Sequence, residues 1–230
     1  MFDDQVVSFG ELRTAFDRNW QGPDDQRLRR LAQAAIKFGN DDDYADSSVA
    51  CVYESYLEPL PGYRNDRYGK GPIGGGYTIS TSNISWNVPY GMDVGATPDG
   101  RLAGEPLNEG ASACRGADRL GPTALAKSLS KLPNQPMAGG QSFNMRFTPG
   151  LLDRDENLNK SVSFLQAFNQ LGGFHVQINV ANRAALLEAR AHPDRHPDRM
   201  VRVAGSCALF TPLMPEVQDD IIARTEHVGL

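Results

Sequence analysis

The sequence predicts an α/β fold, and three observations carry that reading. Apolar residues recur at helical spacing in some segments, while other segments are short β-branched and aromatic runs. The two kinds of segment alternate along the chain instead of separating into halves. With 230 residues, 40% hydrophobic and 22% charged, the chain is long and apolar enough to bury a core.

Taken in order, Ser8 followed by Glu11 reads as a capping box opening a helix that carries Leu12, Phe16 and Trp20. Gln21-Gly-Pro-Asp-Asp25 breaks it. A second helix places Leu28, Leu31, Ala35 and Ile36 on repeating faces and ends at Phe38-Gly-Asn, where Gly39 suits a C-terminal cap. Asp41 to Asp43 opens a third helix running from Ala45 to Leu57, with its acids at the favourable end of the helix dipole. Pro59 to Gly76 is turn-rich. Tyr77 to Tyr90 is β-branched and aromatic and predicts a strand, whose small hydroxyl residues face either solvent or a polar cavity. Residues 91–122 read as loop. Helices are expected at Thr123–Lys131, Ser161–Leu171, Arg183–Ala191 and Val217–Thr225, and strands at Ser142–Phe147 and Phe174–Val180. Short apolar pieces, Val201–Val203 and Ala208–Phe210, flank Gly205.

Composition and motifs exclude several functions. The net charge of −5 lacks the basic patch of a nucleic-acid binder, and Arg27-Leu-Arg-Arg30 reads as a solvated helix face. Three widely spaced cysteines, Cys51, Cys114 and Cys207, argue against a disulfide framework and for a reducing compartment. Cys51 reads as a small core residue and Cys114 as an inert thiol. No run of apolar residues is long enough to cross a membrane, and the acidic N-terminus does not resemble a signal peptide, so a cytoplasmic protein is expected. His192 and His196 are four residues apart, but Pro193 and Pro197 interrupt the helix that would align them, so no metal site is expected. The Gly69-Lys70 pair has Arg64 where a phosphate-binding loop needs glycine. Acid–base and hydrolytic chemistry thus has no visible apparatus.

Three segments change the picture. They are Gly95-Ala-Thr-Pro-Asp-Gly-Arg-Leu-Ala-Gly-Glu-Pro-Leu107, continuing to Gly116-Ala-Asp-Arg-Leu-Gly-Pro-Thr-Ala124; Phe174-His-Val-Gln-Ile-Asn-Val180; and Arg202-Val-Ala-Gly205 with Gln218-Asp-Asp-Ile-Ile-Ala-Arg-Thr-Glu-His227. Together with Lys37-Phe-Gly-Asn-Asp-Asp-Asp-Tyr-Ala-Asp46 they closely resemble the C-terminal part of glycyl radical enzymes, the superfamily of pyruvate formate-lyase, and its dehydratase and lyase branch in particular. The resemblance implies part of a ten-stranded α/β barrel in residues 1–106 and a glycine radical domain in 107–230. It also implies that Gly205 is the modified residue that stores a radical, with Arg202, Val203, Ala204, Ser206 and Cys207 as its loop neighbours. A backbone radical at a glycine Cα is planar and is stabilised by the amides on both sides, and glycine has no side chain to collide when the carbon flattens. The apolar flanks are expected to bury the loop.

The resemblance further implies that no cofactor is bound, because a separate activating enzyme with S-adenosylmethionine and an iron–sulfur cluster installs the radical. The stored radical then generates a cysteine thiyl, which abstracts hydrogen from a small substrate. In the family that cysteine lies in a Gly-Cys-x-Glu loop several hundred residues upstream, and neither Cys51 nor Cys114 has this context. Ser206 departs from the aromatic residue common after the radical glycine, and Cys207 two residues on is either a small packing residue or a relay. The expected partners are a larger subunit carrying the cysteine loop, the activating enzyme and the substrate, with neither nucleic acid nor membrane. The segments ahead of Gly91 resemble barrel, and Met1-Phe-Asp-Asp reads as a natural start, both favouring a subunit of a split enzyme. A module that replaces an oxygen-cleaved terminus, a truncated chain and a fumarate-adding enzyme subunit stay open. Ser80, Ser82 and Asn83 are candidates to line the substrate cavity.

Overall fold

The computed structural model describes residues 6–63, 76–224 and 226–227, so most of the glycine run before Tyr77 lies outside the described residues. The chain forms two compact units, residues 1–36 with 85–107 and residues 37–84 with 108–230.

The first unit is helical. Helix α1 (Phe9–Asp17) starts with the expected capping box: Ser8 Oγ accepts from Glu11 N at 3.2 Å, and the Glu11 carboxylate accepts from Ser8 N at 2.8 Å. Helix α2 (Asp25–Ala34) follows. Val7, Leu12, Ala15, Trp20, Leu28 and Ala32 are buried together between them. Helix α2 does not reach Phe38: Ala35 already has an extended ψ of 154°. Gly39, with φ +101°, serves a different need, since a Cβ there would sit 2.7 Å from that of Ala113.

Residues 77–83 do not form the expected strand. β-branched residues favour extended backbone, but a strand also needs a partner ladder. Among the described residues the backbone makes just two cross-links here, Gly139 N to Ile79 O and Thr81 N to Gly140 O, both 3.0 Å, too few for a ladder. Ile84 and Ser85 then turn through left-handed φ values of 49° and 62° into α4 (Asn87–Asp93). Pro89 sits in its first turn, where the missing N–H costs nothing. The loop after it is organised by Arg101, whose guanidinium donates to Glu105 O at 2.5 Å, Val94 O at 3.2 Å and Gly95 O. The Asp-Gly-Arg sequence therefore marks a structural loop, with Gly100 at φ +98°.

The second unit holds α3 (Asp43–Leu57), α5 (Gly121–Ser130), β1 (Asn144–Phe147), α6 (Asp155–Gln170), β2 (Gln177–Val180) and α7 (Arg183–Ala191). It closes with β3 (Met200–Arg202), β4 (Cys207–Leu209), α8 (Pro215–Ala223) and β5 (Glu226–His227). The sheet order is β2-β1-β5, all parallel. Phe143, Met145, Phe147, Leu129, Phe164 and Phe168 form its core with α5 and α6. Parallel strands need such cover. Strand β5 was unforeseen because two residues carry no periodicity. Its position follows from Arg146, a buried guanidinium on β1 that donates to Ile221 O at 3.0 Å, Ile222 O at 3.1 Å and Arg224 O, capping the end of α8 just before β5. Cys51, expected in the core, is exposed on α3.

Candidate functional site

Gly205 lies at the tip of an antiparallel hairpin made by β3 and β4, with Arg202 opposite Cys207. Val203 N donates to Ser206 O at 3.0 Å and closes the loop. Val201, Val203, Ala204 and Phe210 are buried and hold the base of the hairpin, but Gly205, Ser206 and Cys207 are exposed. The apolar flanks therefore anchor the loop without enclosing its tip.

Nothing in the backbone asks for glycine at this position. Gly205 is not among the residues with φ in the left-handed range, and a Cβ built on it would meet only Ser82 Oγ, at 3.7 Å, an ordinary contact. Gly10, Gly62 and Gly95 are equally unconstrained, whereas a glycine imposed by its surroundings shows a left-handed φ or a close approach. Gly110 shows both, with φ +55° and a hypothetical Cβ 3.0 Å from both Thr81 O and Ser142 Cβ.

Ser82 reaches the hairpin because the 77–83 segment is threaded against two backbone stretches that only glycines permit. Besides Gly110, Gly139 lies so close to Ile79 that a Cβ would fall 2.6 Å from its carbonyl oxygen. Of the three cavity candidates, only Ser82 faces Gly205. Ser80 Oγ accepts from Ser82 N at 3.1 Å, and Asn83 Nδ2 donates to Asn108 O at 3.2 Å, so those two shape the segment.

Beneath the hairpin lies a polar layer that sequence reasoning missed. Asn179 Nδ2 donates to Arg202 O at 2.8 Å, and Asn179 Oδ1 accepts from Arg202 N at 3.1 Å. Arg202 Nε donates to Gln177 Oε1 at 2.9 Å, and Gln177 Nε2 lies 2.9 Å from His175 Nε2. Burial and the Arg202 charge push the His175 imidazole below its usual range. Arg202 Nη1 also lies 3.5 Å from Cys207 Sγ. The signal was present in alternation: Gln177 and Asn179 share one face of β2, with His175 in the same register just ahead of it, while Val176 and Ile178 pack on the core.

A second polar cluster centres on Glu109, buried beside Asn144 Nδ2, which donates to it, and Ser112 Oγ at 3.5 Å. Burial pushes the Glu109 carboxyl up, partly opposed by the Arg224 charge and the Asn144 hydrogen bond. Arg224 in turn donates to Arg202 O at 3.3 Å and Asp220 at 3.3 Å, and Asp220 is paired with Arg115 at 2.5 Å.

His192 already caps the end of α7, so His192 and His196 do not share a helix. Pro193 opens a short 3₁₀ turn between them, and the His196 ring turns to the Glu188 carboxylate.

Comparison with known proteins agrees with this arrangement. The family model described as pyruvate formate lyase-like matches residues 1–91, and that described as glycine radical matches residues 107–211. The chain is 44% identical over 230 residues to the probable dehydratase YbiW of Escherichia coli, covering 99% of this chain and 28% of the relative. It is 37% identical over 235 residues to an isethionate sulfite-lyase of Nitratidesulfovibrio vulgaris, covering 99% and 27%. Among solved structures, the glycerol-bound form of the B12-independent glycerol dehydratase from Clostridium butyricum superposes with a TM-score of 0.90 at 37% identity, covering 99% of this chain and 28% of that one. The chain thus spans little more than a quarter of the length of these relatives. No helix among the described residues is long and apolar enough to cross a membrane. Two adjoining family models, close relatives and a matching fold place this chain in the glycyl radical enzymes of the pyruvate formate-lyase-like superfamily, where it corresponds to the C-terminal portion of their barrel and its glycine radical domain.

Proposed function

We propose that Gly205 stores the radical, and that this chain is the radical-bearing part of a lyase or dehydratase whose thiyl cysteine is carried on a larger partner polypeptide. The observation that carries the reading is the hairpin tip itself: Gly205 stands exposed at the end of β3 and β4, within the residues that the glycine radical family model matches, and neither a left-handed φ nor crowding accounts for a glycine there. A separate activating enzyme, using S-adenosylmethionine and an iron–sulfur cluster, removes one hydrogen atom from the Cα. The radical then takes a hydrogen atom from the partner's cysteine thiol, restoring the glycine and leaving a thiyl that abstracts hydrogen from substrate. The exposure of Gly205 and its neighbours supports a second surface closing over them. Ser82, beside the glycine, faces the same opening and contributes a hydroxyl to a small hydroxylated or amino-alcohol substrate.

The domain division follows the same reading, with barrel in 1–106 and the radical domain in 107–230, and the ranges of the two family models support it. Electron paramagnetic resonance after incubation with the activating enzyme, with and without the candidate partner, tests the proposal. A doublet is expected from the wild type. A doublet that persists in Gly205→Ala overturns the assignment, and substrate turnover without the partner overturns the need for a second polypeptide.

A further inference from the structure

Strand β2 and the β3–β4 hairpin run side by side, yet no backbone ladder joins them among the described residues. The join is made by side chains. The Asn179 carboxamide pairs with both the N–H and the C=O of Arg202, which is what a neighbouring strand's peptide group would do. The Arg202 side chain is held in turn by Gln177, which is buried, and its carbonyl also accepts from Arg224. Arg202 is thus fixed at its backbone and its side chain from two separate elements.

We propose that Asn179 is the positioning residue for Gly205, clamping the hairpin at Arg202 and so setting where the glycine sits. The purpose of the clamp rests on the radical reading of Gly205. Two residues, Val203 and Ala204, separate the clamped backbone from the glycine; both are buried, and the Val203–Ser206 hydrogen bond closes the loop. Little slack remains between Asn179 and the tip. Only a carboxamide supplies a donor and an acceptor side by side. Aspartate keeps the acceptor for Arg202 N–H and loses the donor, and leucine loses both.

Hydrogen–deuterium exchange on the full chain, comparing wild type, Asn179→Leu and Asn179→Asp, tests the clamp without any radical. Amides of residues 201–207 are expected to exchange about 10-fold faster or more in Asn179→Leu, the loss expected of two hydrogen bonds, with Asn179→Asp in between. Amides of the β1–β2 pair keep their protection. In the activated complex, the radical doublet of Asn179→Leu decays several-fold faster than that of the wild type at an unchanged melting temperature. Unchanged exchange in the hairpin overturns the proposal, and so does an equal rise across β1 and β2, which would make Asn179 a general structural residue. A wild type that never yields a doublet defeats the radical reading alone, and the exchange result still decides the clamp.

Discussion

Ser82 Oγ lies 3.7 Å from where a methyl group on Gly205 would be, and apart from the flanking residues nothing else among the described residues comes within 4 Å of that point. Alanine therefore fits. Gly205→Ala is expected to fold normally, within about 0.5 kcal/mol of the wild type as for other exposed substitutions, while losing the radical signal completely. Thermal melts paired with spin quantification check both halves.

Gly110→Ala is the opposite case. Its left-handed φ of 55° and the crowding from Thr81 and Ser142 leave no room for a Cβ. It is expected to cost about 1–3 kcal/mol and to release the segment that presents Ser82. Chemical denaturation measures the loss.

Ser82 itself is predicted to matter for turnover and not for stability. Ser82→Ala is expected to lower turnover by the reconstituted enzyme about 10-fold or more, the worth of one substrate hydrogen bond, with an unchanged melting temperature. Steady-state kinetics that match the wild type remove Ser82 from the substrate site.

Glu109 gives the fold a pH dependence of definite sign. Burial raises its folded pKa above the ordinary 4.5, so the folded state holds the proton to higher pH than the unfolded state does. Stability contributed here falls as pH rises from about 4.5 through the raised value. Glu109→Gln removes that slope and is expected to gain on the wild type with increasing pH across the same window. Melting temperatures between about pH 4 and 8 show it.

Lys131 should show no such dependence near neutrality. Burial pulls its ammonium down, but hydrogen bonds to Asp43, Asp41 and Asp46 more than offset that and raise it above 10.5. Its contribution is therefore complete below that value and is lost only as pH rises through the raised one. Asp46 is fully buried, and Ser128 Oγ is the other side-chain donor to its carboxylate among the described residues, so Lys131→Met is expected to cost about 2–4 kcal/mol at neutral pH.

The helices were legible because caps and apolar spacing are local: Ser8 with Glu11 forms the expected capping box, and Asp42, within the acidic run expected to open the third helix, caps α3. The segment from Tyr77 to Tyr90 misled because its composition reports backbone preference and says nothing of a partner. Gly205 was found through the motifs around it, whereas its neighbour Ser82 depends on Gly110 and Gly139, which lie about 30 and 60 residues away and allow the close approach. The Asn179 clamp was hidden for a related reason. Polar residues alternating on a strand look like a solvated face until the strand beside them is known.

Because β2 grips the hairpin with side chains and not with peptide groups, the hold on the loop and the pairing of the sheet are set by different atoms. Substitutions along β2 can retune how firmly the loop is held while Met145, Phe147 and Ile178 keep the sheet packed as before.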